Sequence, residues 1–133
     1  MKKLLLDTHV LLWAIGKTDE LSPQVIELIN NKENEVFVSA ITFWEISLKY
    51  CIGKLELNFA IQDILKYCEQ MDFSLIPLTP LEAIGFSILP YKENHKDPFD
   101  RMLVYQCIKG NYTLVSKDKK MNFYINEGLK CIW

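Results

Sequence analysis

Asp7, Glu45, Asp100 and Asp118 are the side chains in this sequence that combine reactive chemistry with informative surroundings. Asp7 directly follows the apolar run Leu4-Leu5-Leu6, and Asp118 follows Leu114-Val115 after Ser116 and Lys117. Glu45 shares the helical spacing i, i+4, i+7, i+11 with Ile41, Leu48 and Ile52, which puts it inside an apolar stripe. Asp100 precedes Leu103, Val104 and Cys107 on one helical face. A buried carboxylate without a partner costs several kcal/mol or takes up a proton, so both helical acids need a cation, a donor cluster or a metal. Local roles are also open to them. Glu45 could close a capping box with Thr42 or pair with Lys49, and Asp100 could favour a helix dipole behind Asp97 as N-cap. Such roles leave unexplained why four acids from four segments point to one end of a sheet. Clustered carboxylates repel one another, and a divalent ion removes the repulsion. Oxygen-only ligation suits Mg²⁺ or Mn²⁺ rather than Zn²⁺, and such ions activate water for phosphodiester cleavage. His9 and His95 belong to no HxxxH or HExxH pattern, which argues against a histidine metal site.

The elements that must position these acids alternate between strand-length apolar runs and helical stretches. Leu4–Leu6 reads as a buried strand, followed by a short helix over Val10–Ile15 that Gly16 stops. Ser22-Pro23 caps the next helix, and Val36–Val38 is a second strand leading into a helix from Ser39 to about Tyr50, closed by Gly53. A helix is expected from about Ala60 to Gln70, then a strand over Phe73–Ile76. Thr79-Pro80-Leu81-Glu82 carries a capping box, and Asp97-Pro98 opens a further helix. Tyr112–Val115 is a fourth strand and Leu129–Trp133 a fifth, at the edge. Uninterrupted apolar strands alternating with helices indicate an α/β fold with a parallel sheet covered on both faces. In such a sheet, functional groups gather beyond the carboxyl ends of the strands, where Asp7 and Asp118 stand.

The 133 residues suffice for one domain, 1–133, with half of them hydrophobic and no repeat or linker. The net charge of −2 is not that of a protein holding nucleic acid by electrostatics alone, so such work would rely on a local cationic rim or on metal. Cys51, Cys68, Cys107 and Cys131 form no CxxC pair and lie in apolar or amphipathic stretches, as buried free thiols in a reducing cytoplasm would. The opening Met1–Leu6 briefly imitates a signal peptide before Asp7 and His9 interrupt it, and no run approaches the ~20 apolar residues of a membrane span. Trp13, Trp44 and the phenylalanines sit among apolar neighbours and are expected in the core.

From end to end the chain resembles the PIN-domain family, in its branch of bacterial VapC-like toxins. The resemblance rests on Leu6-Asp7-Thr8-His9-Val10-Leu11-Leu12-Trp13, Val38-Ser39-Ala40, Trp44-Glu45-Ile46-Ser47-Leu48-Lys49 and Gly53-Lys54-Leu55. It continues through Leu89-Pro90, His95-Lys96-Asp97-Pro98-Phe99-Asp100-Arg101-Met102-Leu103, Leu114-Val115-Ser116-Lys117-Asp118 and Ile132-Trp133. The Asp-Pro-Phe-Asp-Arg run in its place is the specific part. The family's acidic positions fall on Asp7, Glu45, Asp100 and Asp118, which the resemblance makes catalytic and metal-binding, with Ser116 beside the last. It implies a sheet of order 3-2-1-4-5 and Mg²⁺- or Mn²⁺-dependent endonucleolytic cleavage of RNA. It further implies a homodimer and a small antitoxin that blocks the site with a basic side chain.

Thr8, Asp97 and Ser116 are expected to support the acids, Asp97 as N-cap or through water. Lys49, Lys54, Arg101 and His95 are candidates for holding the RNA backbone, and His9 for a structural hydrogen bond. Two other functions compete. One is an aspartyl-phosphate phosphotransferase acting through Asp7, weakened because His9 stands where such enzymes place a second acid. The other is a non-catalytic module whose acids dock a basic partner.

Overall fold

Three consecutive leucines, Leu4, Leu5 and Leu6, have no solvent exposure and form the centre of the molecule. In the computed structural model, which describes residues 1–133, they lie in strand β1 (Lys3–Leu6). Because side chains alternate across a strand, Leu4 and Leu6 enter one core with Val10, Leu11, Val38 and Ile46. Leu5 enters the other, with Leu103, Val104, Leu114 and Tyr124. β1 therefore needs cover on both faces, which is the condition for a parallel sheet.

β1 pairs in parallel with β2 (Glu35–Ser39) on one side and with β4 (Thr113–Val115) on the other. β3 (Ser74–Ile76) extends the sheet beyond β2, and β5 (Lys130–Ile132) extends it beyond β4. The order is β3-β2-β1-β4-β5, as the resemblance implies, with every pair parallel. Strand order reverses between β1 and β4, and the register sets Leu6 opposite Val115. The residues that follow these two strands therefore leave the sheet side by side, at its carboxyl edge.

Helices α1 (Thr8–Gly16), α2 (Pro23–Asn30), α3 (Ala40–Cys51), α4 (Ile64–Gln70), α5 (Pro80–Gly85) and α6 (Pro98–Gly110) connect the strands. Ser22 caps α2, Ser39 caps α3, and the Thr79/Glu82 capping box starts α5. The helix expected from about Ala60 begins instead as a 3₁₀ turn, Ile61–Asp63, before α4. A longer 3₁₀ segment, Lys119–Glu127, was not foreseen; it buries Met121 and Tyr124, three residues apart and thus on one side of a three-residue turn.

Several burial expectations are corrected. Leu48 and Ile52 are exposed, so the inward face of α3 is Ile41, Thr42, Glu45 and Ile46 rather than the longer stripe. Trp44 is 60% exposed, resting edge-on against Phe99, while Trp13 packs on Trp133. All four thiols are free, but Cys51 is exposed and Cys131 only partly covered. No helix is long and apolar enough to cross a membrane.

Candidate metal centre

Asp7 is placed by two local necessities. Its backbone N–H donates to Val115 O and completes the β1–β4 ladder, while its side chain caps α1, Oδ1 accepting from Thr8 N at 2.7 Å. Ser116 Oγ, just past β4, donates to Asp7 Oδ2 at 2.7 Å. Burial pushes the Asp7 carboxyl up from its ordinary value, and the bonds from Ser116 and Thr8 oppose that rise.

Glu45 is 2% exposed. Thr8 Oγ1 donates to its Oε1 at 2.6 Å, and Lys49 Nζ donates to its Oε2 at 2.5 Å. Thr8 thus bridges the first two acids, through its amide to Asp7 and its hydroxyl to Glu45. The ion pair with Lys49 exists, whereas Thr42 makes no capping box, since Ser39 caps the helix. Burial pulls Lys49 down, but its bond to Glu45 and the charges of Glu45, Asp97 and Asp100 outweigh it and hold the ammonium above its ordinary value.

Asp97 caps α6, its Oδ1 accepting from Phe99 N and Asp100 N. Ligand-type oxygens of Glu45, Asp97 and Asp100 lie within 4.8 Å of one another, so the cap also faces the cleft. His95, Asp100 and Asp118 form a second such triad on the same scale. Asp100 is common to both. Its carboxylate accepts no hydrogen bond from the chain, and burial, followed by the charges of Asp7, Asp97, Glu45 and Asp118, pushes it up to about 8. Asp118 is exposed; its amide donates to Ser116 Oγ, and its side chain accepts from Lys120 N. A cavity of about 350 Å³, lined by Asp7, His9, Trp13, Lys117 and Asp118, opens onto this edge.

The donor set fits a divalent ion with oxygen preference. Carboxylate oxygens of Glu45, Asp97, Asp100 and Asp118 gather around Asp100 in two triads, and the charge of Asp7 adds, after burial, to the elevation of Asp100.

The cationic candidates divide. Lys49 lies half-buried at the cleft, and Lys54 is exposed on the turn after α3. Arg101 and His95 do not line the surface, contrary to expectation. Arg101 is 7% exposed; its Nη1 donates to Pro90 O and Tyr124 Oη, its Nη2 to Leu89 O. It ties the segment before α6 to the helix and is out of reach of a backbone phosphate. His95 is 3% exposed, and burial pulls its imidazole down from its ordinary value. His9 is exposed and leans on Trp13 rather than making a structural hydrogen bond. Tyr124 escaped sequence reasoning, because its partners come from elsewhere in the chain; its spacing from Met121 was the available signal.

Residues 4–124 match the family model of the PIN domain. Ribonuclease VapC22 of Mycobacterium tuberculosis is 25% identical over 135 residues, covering all of both chains. DNA-bound VapBC from Salmonella typhimurium has a similar fold, with a TM-score of 0.68 at 20% identity over 99% of this chain and 98% of that one. VapBC2 from Rickettsia felis, bound to a DNA fragment from its promoter, gives 0.64 at 18% identity over 98% and 97%. VapBC-1 from nontypeable Haemophilus influenzae gives 0.64 at 15% identity over 98% and 96%.

Proposed function

Since the chain belongs to the PIN-domain family, we propose that it is a Mg²⁺- or Mn²⁺-dependent endoribonuclease and the toxin of a toxin–antitoxin pair. The observation that carries this reading is Asp100: a carboxylate shared by two triads of potential ligands, crowded by acids and given no hydrogen bond by the chain. The full-length likeness to a mycobacterial ribonuclease supports the activity, and the likeness to VapBC complexes supports an antitoxin partner. The resemblance adds a homodimer, and a cytoplasmic setting accords with the free thiols.

Asp7, Glu45, Asp100 and Asp118 would hold the ion, with Asp97 in reserve through water. When bound, a divalent ion supplies charge neutralisation for the phosphodiester and a more acidic water. The chain's own groups do the positioning. Ser116 and Thr8 lock Asp7, while Thr8 and Lys49 lock Glu45, so both carboxylates keep their orientation without rearrangement. Asp118, exposed at the rim, is the acid most open to incoming substrate. Lys49 and Lys54 supply positive charge on the approach and offset the acidity of the whole chain for an RNA backbone. A phosphoenzyme on Asp7 is disfavoured, because His9 stands where such enzymes place a second acid.

The test is incubation of the protein, free of any partner, with a pool of structured RNAs at several Mg²⁺ and Mn²⁺ concentrations beside Asp100→Asn. Metal-dependent cleavage that the variant lacks is expected. Absence of cleavage by the unmodified protein despite proven metal binding would overturn the nuclease reading in favour of a binding module.

A further inference from the structure

His95 Nε2 is a fully buried polar atom with no hydrogen-bond partner, and it stands 3.4 Å from Asp100 Oδ2. What that nitrogen carries is fixed on the other side of the ring. His95 Nδ1 lies 2.7 Å from Tyr124 Oη, and Tyr124 Oη also receives Arg101 Nη1 at 3.1 Å. A guanidinium brings only donors, so the tyrosine oxygen is the acceptor in that contact. Tyr124 has no solvent exposure, and Nδ1 is the one acceptor within reach of its hydroxyl hydrogen. The hydroxyl therefore donates to Nδ1. A proton on Nδ1 would leave the buried Tyr124 hydroxyl hydrogen without an acceptor. The ring's single proton thus resides on Nε2, the nitrogen 3.4 Å from Asp100 Oδ2.

From this chain of donors we propose that His95 is a positioning residue for Asp100: its Nε2–H gives the carboxylate the hydrogen bond it otherwise lacks, leaving the other oxygen for the ion. At 3.4 Å the contact falls short of an ordinary hydrogen bond in this structure, and such bonds in unliganded sites often tighten only when the ligand binds. Arg101 and Tyr124 act behind His95, which accounts for two buried polar residues that the metal centre itself does not use. The inference rests on the reading of the cleft as a metal centre, but it concerns His95 rather than the reaction.

The experiment uses the full chain labelled with ¹⁵N-histidine. There are two histidines, so a His9→Gln sample assigns the spectrum. Long-range ¹H–¹⁵N spectra should show protonated Nε2 and bare Nδ1 without metal, and the same tautomer after Mg²⁺ is added. Tyr124→Phe should mix the tautomers. Mn²⁺ binding, followed by the electron paramagnetic resonance of the free ion, should weaken about 10–100-fold in His95→Leu, the range for loss of a group that orients a ligand. His95→Gln keeps a donor near Nε2 and should recover most of that affinity. A proton on Nδ1, or displacement of the Nε2 resonance by Mg²⁺, would make His95 a ligand and overturn the proposal. So would unchanged Mn²⁺ affinity in His95→Leu. If the unmodified protein cuts no RNA while the tautomer and Mn²⁺ results hold, the nuclease reading fails and the positioning role stands.

Discussion

Asp7 and Asp100 face the same cleft, yet their surroundings differ in kind. Asp7 sits at a strand end, where backbone geometry brings an amide and the Ser116 hydroxyl to its two oxygens. Asp100 stands on the first turn of a helix whose free amides are already taken by Asp97, and the one donor near its side chain is His95 Nε2, 3.4 Å away. The inner carboxylate has hydrogen bonds that oppose the cost of its burial, whereas the outer one is left largely to a proton or a cation. A protein can hold one end of an acidic cluster in place and leave the other end dependent on a ligand. Binding and order are then coupled at the outer end alone.

The sharpest way to break this contrast is catalytic. Asp100→Asn and Asp7→Asn should each lower RNA cleavage at least about a hundredfold, since losing a group that merely orients a ligand already costs ~10–100-fold. A gel assay at saturating Mn²⁺ reads this, and a variant that cuts at the normal rate would remove its residue from the centre.

Next in size is Arg101→Ala, which strips the buried Leu89 carbonyl and Tyr124 hydroxyl, and the more exposed Pro90 carbonyl, of their donor and should cost about 3 kcal/mol. Urea unfolding measures it. A loss of RNA affinity without loss of stability would return Arg101 to a phosphate role. Ser116→Ala should cost roughly 1–2 kcal/mol, because Asp7 would stay buried with one oxygen bare.

The pH dependence bears on both acids, since burial raises Asp7 as well as Asp100. Asp100 is raised from 3.8 to about 8, so the metal-free native state binds a proton there that the unfolded chain has released. The Asp100 contribution to stability should therefore fall as pH rises from about 4 to about 8. Thermal melts of metal-free protein should show this decline, and Asp100→Asn should flatten it, gaining roughly 1 kcal/mol near pH 8. Saturating Mg²⁺ at about a hundred times its Kd should add about 2.7 kcal/mol to the unmodified protein and little to the variant. A pH-independent melt would show that Asp100 is not strained. The smallest effect belongs to the periphery: Lys54→Ala should reduce the salt slope of RNA binding by about one. An unchanged slope would place Lys54 outside the interface.

Much of this was legible in the residues. Leu4–Leu6 read as a buried strand, and Ser22-Pro23, Thr79–Glu82 and Asp97-Pro98 declared helix starts because capping is a matter of neighbouring atoms. The burial of Glu45 followed from its near neighbours on α3, although the predicted stripe ran too far, since helical period cannot say where a helix leaves the sheet. The roles of His95 and Arg101 were misread for a related reason. Long polar side chains are usually solvated, and only the fold brings Tyr124, from a 3₁₀ turn more than twenty residues away, to bury them.

The sequence by itself determined the alternation of strands and helices and the identity of the acids, because period, caps and carboxylates are local properties. Tertiary structure alone decided which acid the chain satisfies and which it leaves bare. That depends on donors contributed by Ser116 and Thr8, and on the Tyr124 contact that sets His95 beside Asp100, all from separate segments whose distances are set by packing and have no trace in spacing along the chain.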